Sequence, residues 1–150
     1  MKTITKHFNE LSLTELYEIL KARINVFVVE QNCPYPEIDD KDQDAYHIFI
    51  KEDQEIVAYL RVLAPGVSYK EASVGRVLTT KRDKGYGNLI MNEGIKLVNE
   101  KYGLVAIRIG AQLYAKGFYE RFGFYQVSDE YLEDGIAHIE MMKDTFKKII

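Results

Sequence analysis

The sequence predicts an α/β (α+β) fold, with a mixed, mostly antiparallel six- to seven-stranded sheet flanked by helices. Three observations support this class: an amphipathic helix follows the first strand, later strands follow one another through a short turn, and a glycine-rich segment separates a strand from a helix. With 150 residues, 47% hydrophobic and 29% charged, the chain has the size and composition of one globular domain covering residues 1–150.

The first strand, predicted at residues 3–8, leads into a helix that starts with a capping box. The Ser12 hydroxyl can accept a hydrogen bond from the N–H of Glu15, and the Glu15 carboxylate can reach back to Ser12. The helix is expected to end at residues 29–30, because prolines follow at positions 34 and 36. Apolar side chains recur at three- and four-residue steps and predict its buried face, formed by Leu13, Leu16, Leu20, Ile24 and Phe27.

Residues 30–46 are predicted to form a long acidic loop. Its acidic residues are Glu30, Glu37, Asp39, Asp40, Asp42 and Asp44, against the single basic residue Lys41. Loops of this length inside a compact domain are more often functional than not. Two interpretations stay open: the loop attracts a cationic amine through its electric field, or its carboxylates are simply solvated.

Apolar runs and turn signals mark the later elements. Residues 47–51 and 55–63 predict two strands joined in a hairpin at Asp53-Gln54. A near-continuous apolar run at 104–109 predicts an interior fifth strand. The remaining predicted elements are strands at 73–78, 125–128 and 138–142 and helices at 88–101 and 113–121. The crossover through the first of these helices should be right-handed.

The segment Arg82-Asp83-Lys84-Gly85-Tyr86-Gly87 lies between the fourth strand and the following helix. Glycine tolerates positive φ and has no Cβ, so an anion can approach the backbone N–H groups closely. The helix start adds unpaired N–H groups and partial positive charge, and Arg82 and Lys84 add full charges. The segment therefore predicts a diphosphate site. The alternative is a tight strand-to-helix turn with exposed basic residues.

Two nucleotide-binding motifs do not fit this segment. A dinucleotide fingerprint needs a third glycine where Ile90 stands, and an acidic residue about 20 positions on, where residues 105–107 are Val-Ala-Ile. A P-loop needs Gly-Lys-Ser/Thr, which this segment lacks. The order R-x-x-G-x-G after a strand instead resembles the acyl-CoA loop of the GCN5-related N-acetyltransferases (GNAT).

A second segment resembles the same family. Gly110-Ala111-Gln112 leads into residues 117–124, whose F-Y-x-x-F-G-F string is similar to the family's second cofactor segment. The resemblance spans nearly the whole chain and narrows to the ElaA-like branch through residues 27–37, Gly75-Arg76-Val77 and residues 134–139. It implies the GNAT acyl-CoA N-acyltransferase fold and acetyl-CoA as acyl donor, but no particular acceptor.

The resemblance implies acetyl-CoA contacts in three parts of the chain. The fourth strand lends backbone groups to the pantetheine arm, the glycine loop holds the diphosphate, and the second segment completes the cleft. The residues concerned are Val77, Leu78, Thr79, Arg82, Lys84, Gly85, Tyr86, Gly87, Asn88, Leu89, Gln112, Phe118 and Phe122. Phe118 and Phe122 are equally typical of an aromatic core.

The resemblance also implies that an acceptor amine attacks the thioester directly, without an acyl-enzyme. Tyr119 is the candidate general acid that protonates the departing thiolate. The base stays open. Glu30 and His138 are catalytic candidates beside Glu37 and His47, and a relayed water fits the sequence equally well.

Three residues are predicted to bind the substrate, a small-molecule or peptide amine: Arg76, Tyr35 and Glu37. Arg76 stands on the fourth strand, where family members often place a glutamate. It can pair with Asp39 or Asp40 across the cleft, or bind a substrate carboxylate bidentately. The structural alternative is an ion pair that braces the acidic loop. No metal site is predicted, since the three histidines are scattered along the chain.

Composition excludes several partners. The formal net charge of −3 and the isoelectric point of about 5.7 give no reason to expect nucleic-acid binding. The sequence has no apolar run of about 18 residues and no signal peptide, so no membrane span is expected and the cytoplasm is the default location. The single cysteine, Cys33, excludes an internal disulfide and is predicted to pack in the interior.

Two questions remain open at the level of the sequence. The alternative function is a non-catalytic acetyl-CoA-binding or sensor module. The chain is expected to be a monomer or a homodimer, and apolar residues near its C-terminus are predicted to pack on the core or on a second subunit. These residues are Phe146, Ile149 and Ile150.

Overall fold

The computed structural model describes residues 1–144, which contain eight strands in two four-stranded sheets together with helices. All ladders within the two sheets are antiparallel, and the predicted α/β fold class is confirmed. The strand number is slightly higher than the six to seven expected. Phe146, Ile149 and Ile150 lie outside the described residues, so their packing stays a prediction.

The first sheet is an antiparallel meander in chain order. Its strands are β1 (Lys2–His7), β2 (Tyr46–Glu52), β3 (Glu55–Leu63) and β4 (Ser73–Thr79). The turn between β2 and β3 consists of Asp53 and Gln54, with φ of 53° and 65°. A tight type I′ hairpin requires two such left-handed residues. The predicted hairpin is therefore confirmed.

The second sheet is built around β8 (Ile136–Lys143). One edge of β8 pairs with β5 (Ile107–Gln112), and the other edge pairs with β6 (Tyr125–Gln126) and β7 (Tyr131–Glu133). The sequence prediction missed β7, because three residues are too few to establish a strand-like alternation.

The bounds predicted for the fifth strand, 104–109, are wrong: β5 begins and ends three residues later, at Ile107 and Gln112. Gly103 has a φ of 80° and Leu104 is 58% exposed, so the chain reaches the sheet only at Ile107. An apolar run does not by itself fix where a strand begins. Burial alternates along β5, with Ile107, Ile109 and Ala111 facing the core and Arg108, Gly110 and Gln112 facing away from it. Gly110 and Gln112 therefore lie within the strand rather than after it.

The first helix begins at the predicted capping box. The Glu15 N–H donates to Ser12 Oγ over 3.0 Å, and the Ser12 N–H donates to Glu15 Oε1 over 2.8 Å. The α-helical part, α1 (Leu13–Arg23), continues as a π-helix at Ile24–Glu30, so the helix ends where it was predicted to end.

The predicted buried face of this helix is right only in part, because Leu16, Leu20, Ile24 and Phe27 are half-buried and Phe27 packs against the core. Leu13 is 88% exposed, and the buried residues are Ile19, Arg23 and Val26. The reason is Arg23, which is fully buried because it meets carboxylates of the acidic loop. A search for apolar periodicity assigns a charged residue to the solvent side and shifts the face accordingly.

The other helices are α2 (Tyr86–Tyr102) and the short α3 (Lys116–Glu120). α2 packs closely on β3 at Gly94, where a Cβ would lie 2.9 Å from Leu60 Cδ2. Its buried side chains join those of both sheets in one core, which includes Ile90, Met91, Val98, Leu60, Val74, Ile107 and Ile109. None of the helices in residues 1–144 has the length and apolar character needed to cross a membrane.

Candidate functional site

A cleft opens where β4 and β5 diverge. The two sheets meet at one isolated parallel bridge, between Ala72 and Ile107, where the Arg108 N–H donates to the Ala72 carbonyl over 2.9 Å. Beyond this bridge, no ladder joins β4 to β5 within residues 1–144. The space between them is a cleft of about 960 Å³, lined by β4, the glycine loop, the end of β5, the π-helix and the β7–β8 hairpin.

A bulge at Arg76 shapes the β4 wall of the cleft. The pairing of β3 with β4 passes from Tyr59–Leu78 to Arg61–Gly75, which leaves an extra residue on β4. Arg76 has a φ of 51°, a left-handed conformation that is uncommon for residues other than glycine. The bulge turns the Arg76 side chain toward the acidic loop, and residues on both sides of it line the cleft.

The glycine loop has the backbone that an anion site needs. Gly85 has a φ of 76° and precedes the first residue of α2. The first intrahelical hydrogen bond runs from the Leu89 N–H to the Gly85 carbonyl over 3.2 Å, so the preceding N–H groups of the first turn have no helical acceptor. Tyr86 anchors the loop to the first sheet, because its side chain is buried and its hydroxyl donates to the carboxylate of Glu52 on β2.

Basic side chains surround this helix start. Lys84 is exposed and lines the cleft, and Arg121 donates to Asn88 Oδ1 over 3.1 Å while its Cζ lies 5.3 Å from the Phe118 ring centroid. Arg82 Nη2 lies 2.7 Å from Glu30 Oε1, with both side chains more than half exposed. Arg82 therefore has to leave Glu30, or share it, in order to contact an anion.

Most of the residues predicted to contact acetyl-CoA lie together in this cleft. Those that line it are Val77, Leu78, Thr79, Arg82, Lys84, Gly85, Tyr86, Gly87, Asn88, Gln112 and Phe118. Leu89 and Phe122 are not part of the lining. Leu89 is 44% exposed, and Phe122 packs edge-to-face on Phe118 with ring centroids 5.2 Å apart. Phe122 thus packs against a side chain of the cleft lining without lining the cleft itself.

Tyr119 also lines the cleft. Its ring is held edge-to-face by Phe118 at 5.1 Å and by Phe124 at 6.0 Å between centroids. Within residues 1–144 its hydroxyl has no hydrogen-bond partner. Burial, with a smaller contribution from Tyr114, raises the pKa of Tyr119 above that of a free phenol. The hydroxyl is therefore a protonated group that can donate into the cleft.

His138, on the second sheet, is another titratable side chain that lines the cleft. Its Nδ1 lies 2.7 Å from the Ile136 carbonyl oxygen, which can only accept, so Nδ1 carries the proton. Nε2 is then the basic atom of the neutral ring, and it lies 3.5 Å from Glu133 Oε2. The ring stacks on Tyr131 at 5.9 Å between centroids.

The other candidate bases differ in how far they are engaged. Glu30 lines the cleft and is paired with Arg82. His47 is fully buried away from the cleft; its Nε2 donates to the Asp42 carbonyl and its Nδ1 accepts from Tyr59. Burial lowers the pKa of His47. Glu37 is likewise outside the lining and is taken up by ion pairs.

These ion pairs form a buried network beneath the side of the cleft that the acidic loop lines. Arg23 Nε lies 2.6 Å from Glu37 Oε2, and Arg23 Nη1 lies 2.7 Å from Asp42 Oδ1. Arg61 binds Asp39 with both terminal nitrogens, at 2.7 and 2.9 Å. Burial would raise the pKa of both Asp39 and Asp42, but the arginines outweigh it and hold each below its usual range.

Arg76 belongs to the same network. Its Nε lies 2.7 Å from Glu37 Oε2 and its Nη2 3.2 Å from Asp39 Oδ2, whereas Asp40 is exposed and not its partner. Tyr35 donates its hydroxyl to Glu37, and the Arg76 Cζ lies 5.8 Å from the Tyr35 ring centroid. Among the alternatives for Arg76, the ion pair that braces the loop is thus the one observed. The carboxylates of the acidic loop are not all solvated, because Glu37, Asp39 and Asp42 form ion pairs with arginines.

Sequence reasoning missed two further residues of the cleft. Gln31 and Gln112 exchange hydrogen bonds between their amides, at 3.3 and 3.1 Å, and so join the end of the π-helix to the end of β5. Glu133 faces His138 from β7, a strand that was not predicted. No local pattern marks Gln31, since its partner lies 81 positions away.

Two remaining predictions concern cysteine and metal. Cys33 is buried, and its thiol donates to the Asp134 carbonyl over 3.5 Å, which agrees with a packing role. Residues 1–144 contain no group of three or more histidine, cysteine, aspartate or glutamate side chains arranged to hold a metal ion.

Comparisons with known proteins agree with this architecture. The family model described as acetyltransferase (GNAT) domain matches residues 14–145. Protein ElaA of Escherichia coli K12 is 37% identical over 145 residues, which cover 94% of this chain and 95% of that protein. The crystal structure of E. coli ElaA superposes with a TM-score of 0.89 at 35% identity, covering 95% and 99% of the two chains. An acyl-CoA N-acyltransferase from Pseudomonas aeruginosa superposes with a TM-score of 0.90 at 35% identity and the same coverage.

Proposed function

This chain belongs to the GNAT acetyltransferase family, in its ElaA-like branch, and from that premise we propose that it transfers the acetyl group of acetyl-CoA to a primary amine. The observation that carries the proposal is that one cleft contains both the glycine loop with its free N–H groups and the Tyr119 hydroxyl. A diphosphate site and a proton donor in one cleft are what acyl transfer from a CoA thioester needs.

Each wall of the cleft has a separate role in this proposal. The diphosphate binds to the N–H groups at the start of α2, with Lys84, Arg121 and Arg82 around it. The open edge of β4, at Val77–Thr79, offers its N–H and C=O groups to the amides of the pantetheine arm. A β4 N–H near Leu78 polarises the thioester carbonyl, as an oxyanion hole does.

The chemistry then takes place in a ternary complex. The neutral amine attacks the thioester carbonyl, a C–N bond forms and the C–S bond breaks. Tyr119 donates its proton to the departing sulfur, and its buried position keeps it protonated until then. His138 is the base that fits the cleft best among the predicted candidates, because its Nε2 is the free atom and the ring lines the cleft. Glu30 and a relayed water are the alternatives that a pH–rate profile of His138→Asn separates.

Arg76 and Tyr35 contact the acceptor in this proposal, since both line the cleft on the side of the acidic loop. Glu37 acts indirectly, by holding these two side chains in place. The other expectations from the sequence, one domain over residues 1–150, a cytoplasmic location and a monomeric or homodimeric state, are kept as predictions.

The test is calorimetric titration with acetyl-CoA, followed by assay of CoA release with a panel of amines. Gly85→Glu puts a carboxylate into the anion site and should abolish binding. Gly66→Glu is the matched control, because Gly66 has a φ of 93° with nothing within 4 Å of a Cβ and lies outside the cleft lining. Binding without CoA release would favour the non-catalytic sensor module. No binding by the folded wild type would overturn the proposal.

A further inference from the structure

We propose that the β7–β8 hairpin is the acceptor end of the cleft, where Glu133 binds the acceptor as an alkylammonium ion and His138 takes its proton at Nε2. The proposal rests on the acetyltransferase function above and specifies its substrate class: an amine that is protonated at neutral pH. It adds Glu133, to which neither the sequence patterns nor the family resemblance gave a role.

The hairpin fixes the two side chains by register. Tyr131 lies directly opposite His138, and Glu133 opposite Ile136. Alternate residues of a strand share a face, so Tyr131, Glu133 and His138 all project from the same side of the hairpin. The connecting turn is tight, since Asp134 and Gly135 have φ of 50° and 79°. Glu133 is therefore held beside the imidazole by a short β-turn rather than by a long loop.

The charge around Glu133 suits a cationic ligand. Its side chain is 60% exposed and, within residues 1–144, no lysine or arginine pairs with it. Arg108 lies on the same sheet face and is bound by Glu71 at 3.1 Å and by Glu140 at 2.9 Å. Lys41, a further cation of the cleft lining, donates to the Ser68 hydroxyl.

The glycine-loop end of the cleft has more unpaired positive than negative charge. Lys84 and Arg121 have no carboxylate partner in the described part of the chain and lie beside the helix start, where Asp83 is a single carboxylate without a cation partner. Free positive charge at one end suits a diphosphate, and a free carboxylate at the other suits an ammonium ion. The two substrates would thus enter one cleft with their charges matched to different ends.

The imidazole is positioned to accept the proton. Because Nδ1 donates to the Ile136 carbonyl, only Nε2 can take it. The groups that face the ring from neighbouring strands are Tyr131 and Glu133 on β7, Gln112 on β5 and Glu140 on β8. Glu140 is held by Arg108, so Glu133 is the one carboxylate among these that is free to stabilise an imidazolium.

The proton lost by the acceptor passes to His138, and the proton gained by the sulfur comes from Tyr119. The ammonium ion loses a proton to Nε2 and becomes the neutral amine that attacks the thioester. The imidazolium passes this proton to solvent. After the C–N bond forms, the nitrogen loses a second proton to water and keeps one hydrogen, while the thiolate released by C–S cleavage takes the Tyr119 proton. The Tyr119 phenolate regains a proton from solvent, so each turnover releases one proton overall. Glu133 stays ionised throughout these steps.

The test compares two classes of acceptor with wild type and Glu133→Gln. Butylamine represents an alkylammonium, and aniline an amine that is uncharged at neutral pH. We expect Glu133→Gln to raise KM for butylamine by about tenfold, because a hydrogen bond to a charged group is lost. KM for aniline and the Kd for acetyl-CoA should stay within about twofold. Glu130→Gln, which removes an exposed carboxylate nearby, is the control and should match wild type.

The proton step has its own readout. In Glu133→Gln kcat for butylamine should fall, since the imidazolium formed at His138 has lost its counter-charge, whereas kcat for aniline, which attacks without prior loss of a proton, should stay near wild type. Equal effects on both amines, or no effect on either, would overturn the proposal while leaving the acetyltransferase function in place. A wild type that binds acetyl-CoA but acetylates no amine would overturn both.

Discussion

Arg23 Nε lies 2.6 Å from Glu37 Oε2, with the two side chains 0% and 1% exposed. The pair joins the end of α1 to the loop that follows the π-helix, and Glu37 in turn holds Arg76 on the β4 bulge. A fully buried ion pair of this kind is costly to break, because the remaining partner keeps an uncompensated charge. The wall of the cleft is thereby tied to the stability of the whole fold.

Replacement of Arg23 by methionine should destabilise the protein by about 3–5 kcal/mol, because Glu37 and Asp42 lose their buried partner. Urea denaturation measures this loss. Arg108→Met is the matched control, since Arg108 also makes two ion pairs but lies at the surface. It should cost no more than about 1 kcal/mol. A similar cost for the two variants would contradict the structural importance of the Arg23 pairs.

His47 should make stability depend on pH near neutrality. Burial lowers its pKa in the folded state, so the unfolded chain binds the proton more readily. Its contribution is fully present above the unfolded value of about 6.5 and is lost as pH falls toward the folded value. The urea midpoint should therefore decrease below about pH 6.5. In His47→Gln, which can keep both hydrogen bonds, this decrease should be absent.

The carboxylates of the buried ion-pair network should make stability depend on pH in a lower range than His47 does. The pKa values of Asp39 and Asp42 are held below the usual range, so their stabilisation is complete above the unfolded value of about 3.9 and lost as pH falls through the folded values. We expect a second loss of stability below about pH 4. Asp39→Asn should be less stable than wild type at pH 7 and should lose less on acidification. An unchanged acid transition would exclude Asp39 as its source.

Tyr119→Phe should lower kcat by roughly 10- to 10⁴-fold and leave the acetyl-CoA Kd nearly unchanged. The control is Tyr114→Phe, because Tyr114 lines the same cleft but is 79% exposed. Since burial raises the pKa of Tyr119, no basic limb from this group should appear in the wild-type profile below about pH 10. A full rate in Tyr119→Phe would remove the hydroxyl from the mechanism.

Gly87→Ala should weaken acetyl-CoA binding through the Phe118 ring. A Cβ at Gly87 would lie 3.1 Å from Phe118 Cε1, so the ring that lines the cleft has to shift. Gly117→Ala is matched, because it also adds a methyl group to a helix but meets nothing within 4 Å. We expect Gly87→Ala to be the less stable of the two by about 1 kcal/mol. Equal acetyl-CoA affinity in both variants would show that Phe118 does not shape the site.

Local chemistry explains which parts of this structure the sequence could predict. The capping box at Ser12, the turn at Asp53-Gln54 and the left-handed Gly85 depend on neighbouring residues, and all are found where expected. The F-Y-x-x-F-G-F string likewise places Tyr119 beside the glycine loop in one cleft.

Long-range contacts explain what was missed. Arg23 is buried because of carboxylates 14 and 19 positions away, and no periodicity of apolar residues encodes that. The position of Glu133 beside His138 could not be predicted, because it depends on β7. The three residues of β7 form a strand only by pairing with β8. The start of β5 depended on Gly103, which breaks an otherwise continuous apolar run.

The gap between β4 and β5 also bears on self-association. A strand edge with unpaired N–H and C=O groups can be extended by a strand from another molecule, and such edges promote aggregation. Here the open edge of β4 is recessed in a cleft, and the left-handed Arg76 interrupts its regular pairing geometry. A flat foreign strand could not follow that edge for long. The same irregularity that makes room for a ligand thus makes this edge of β4 a poor template for the addition of a strand.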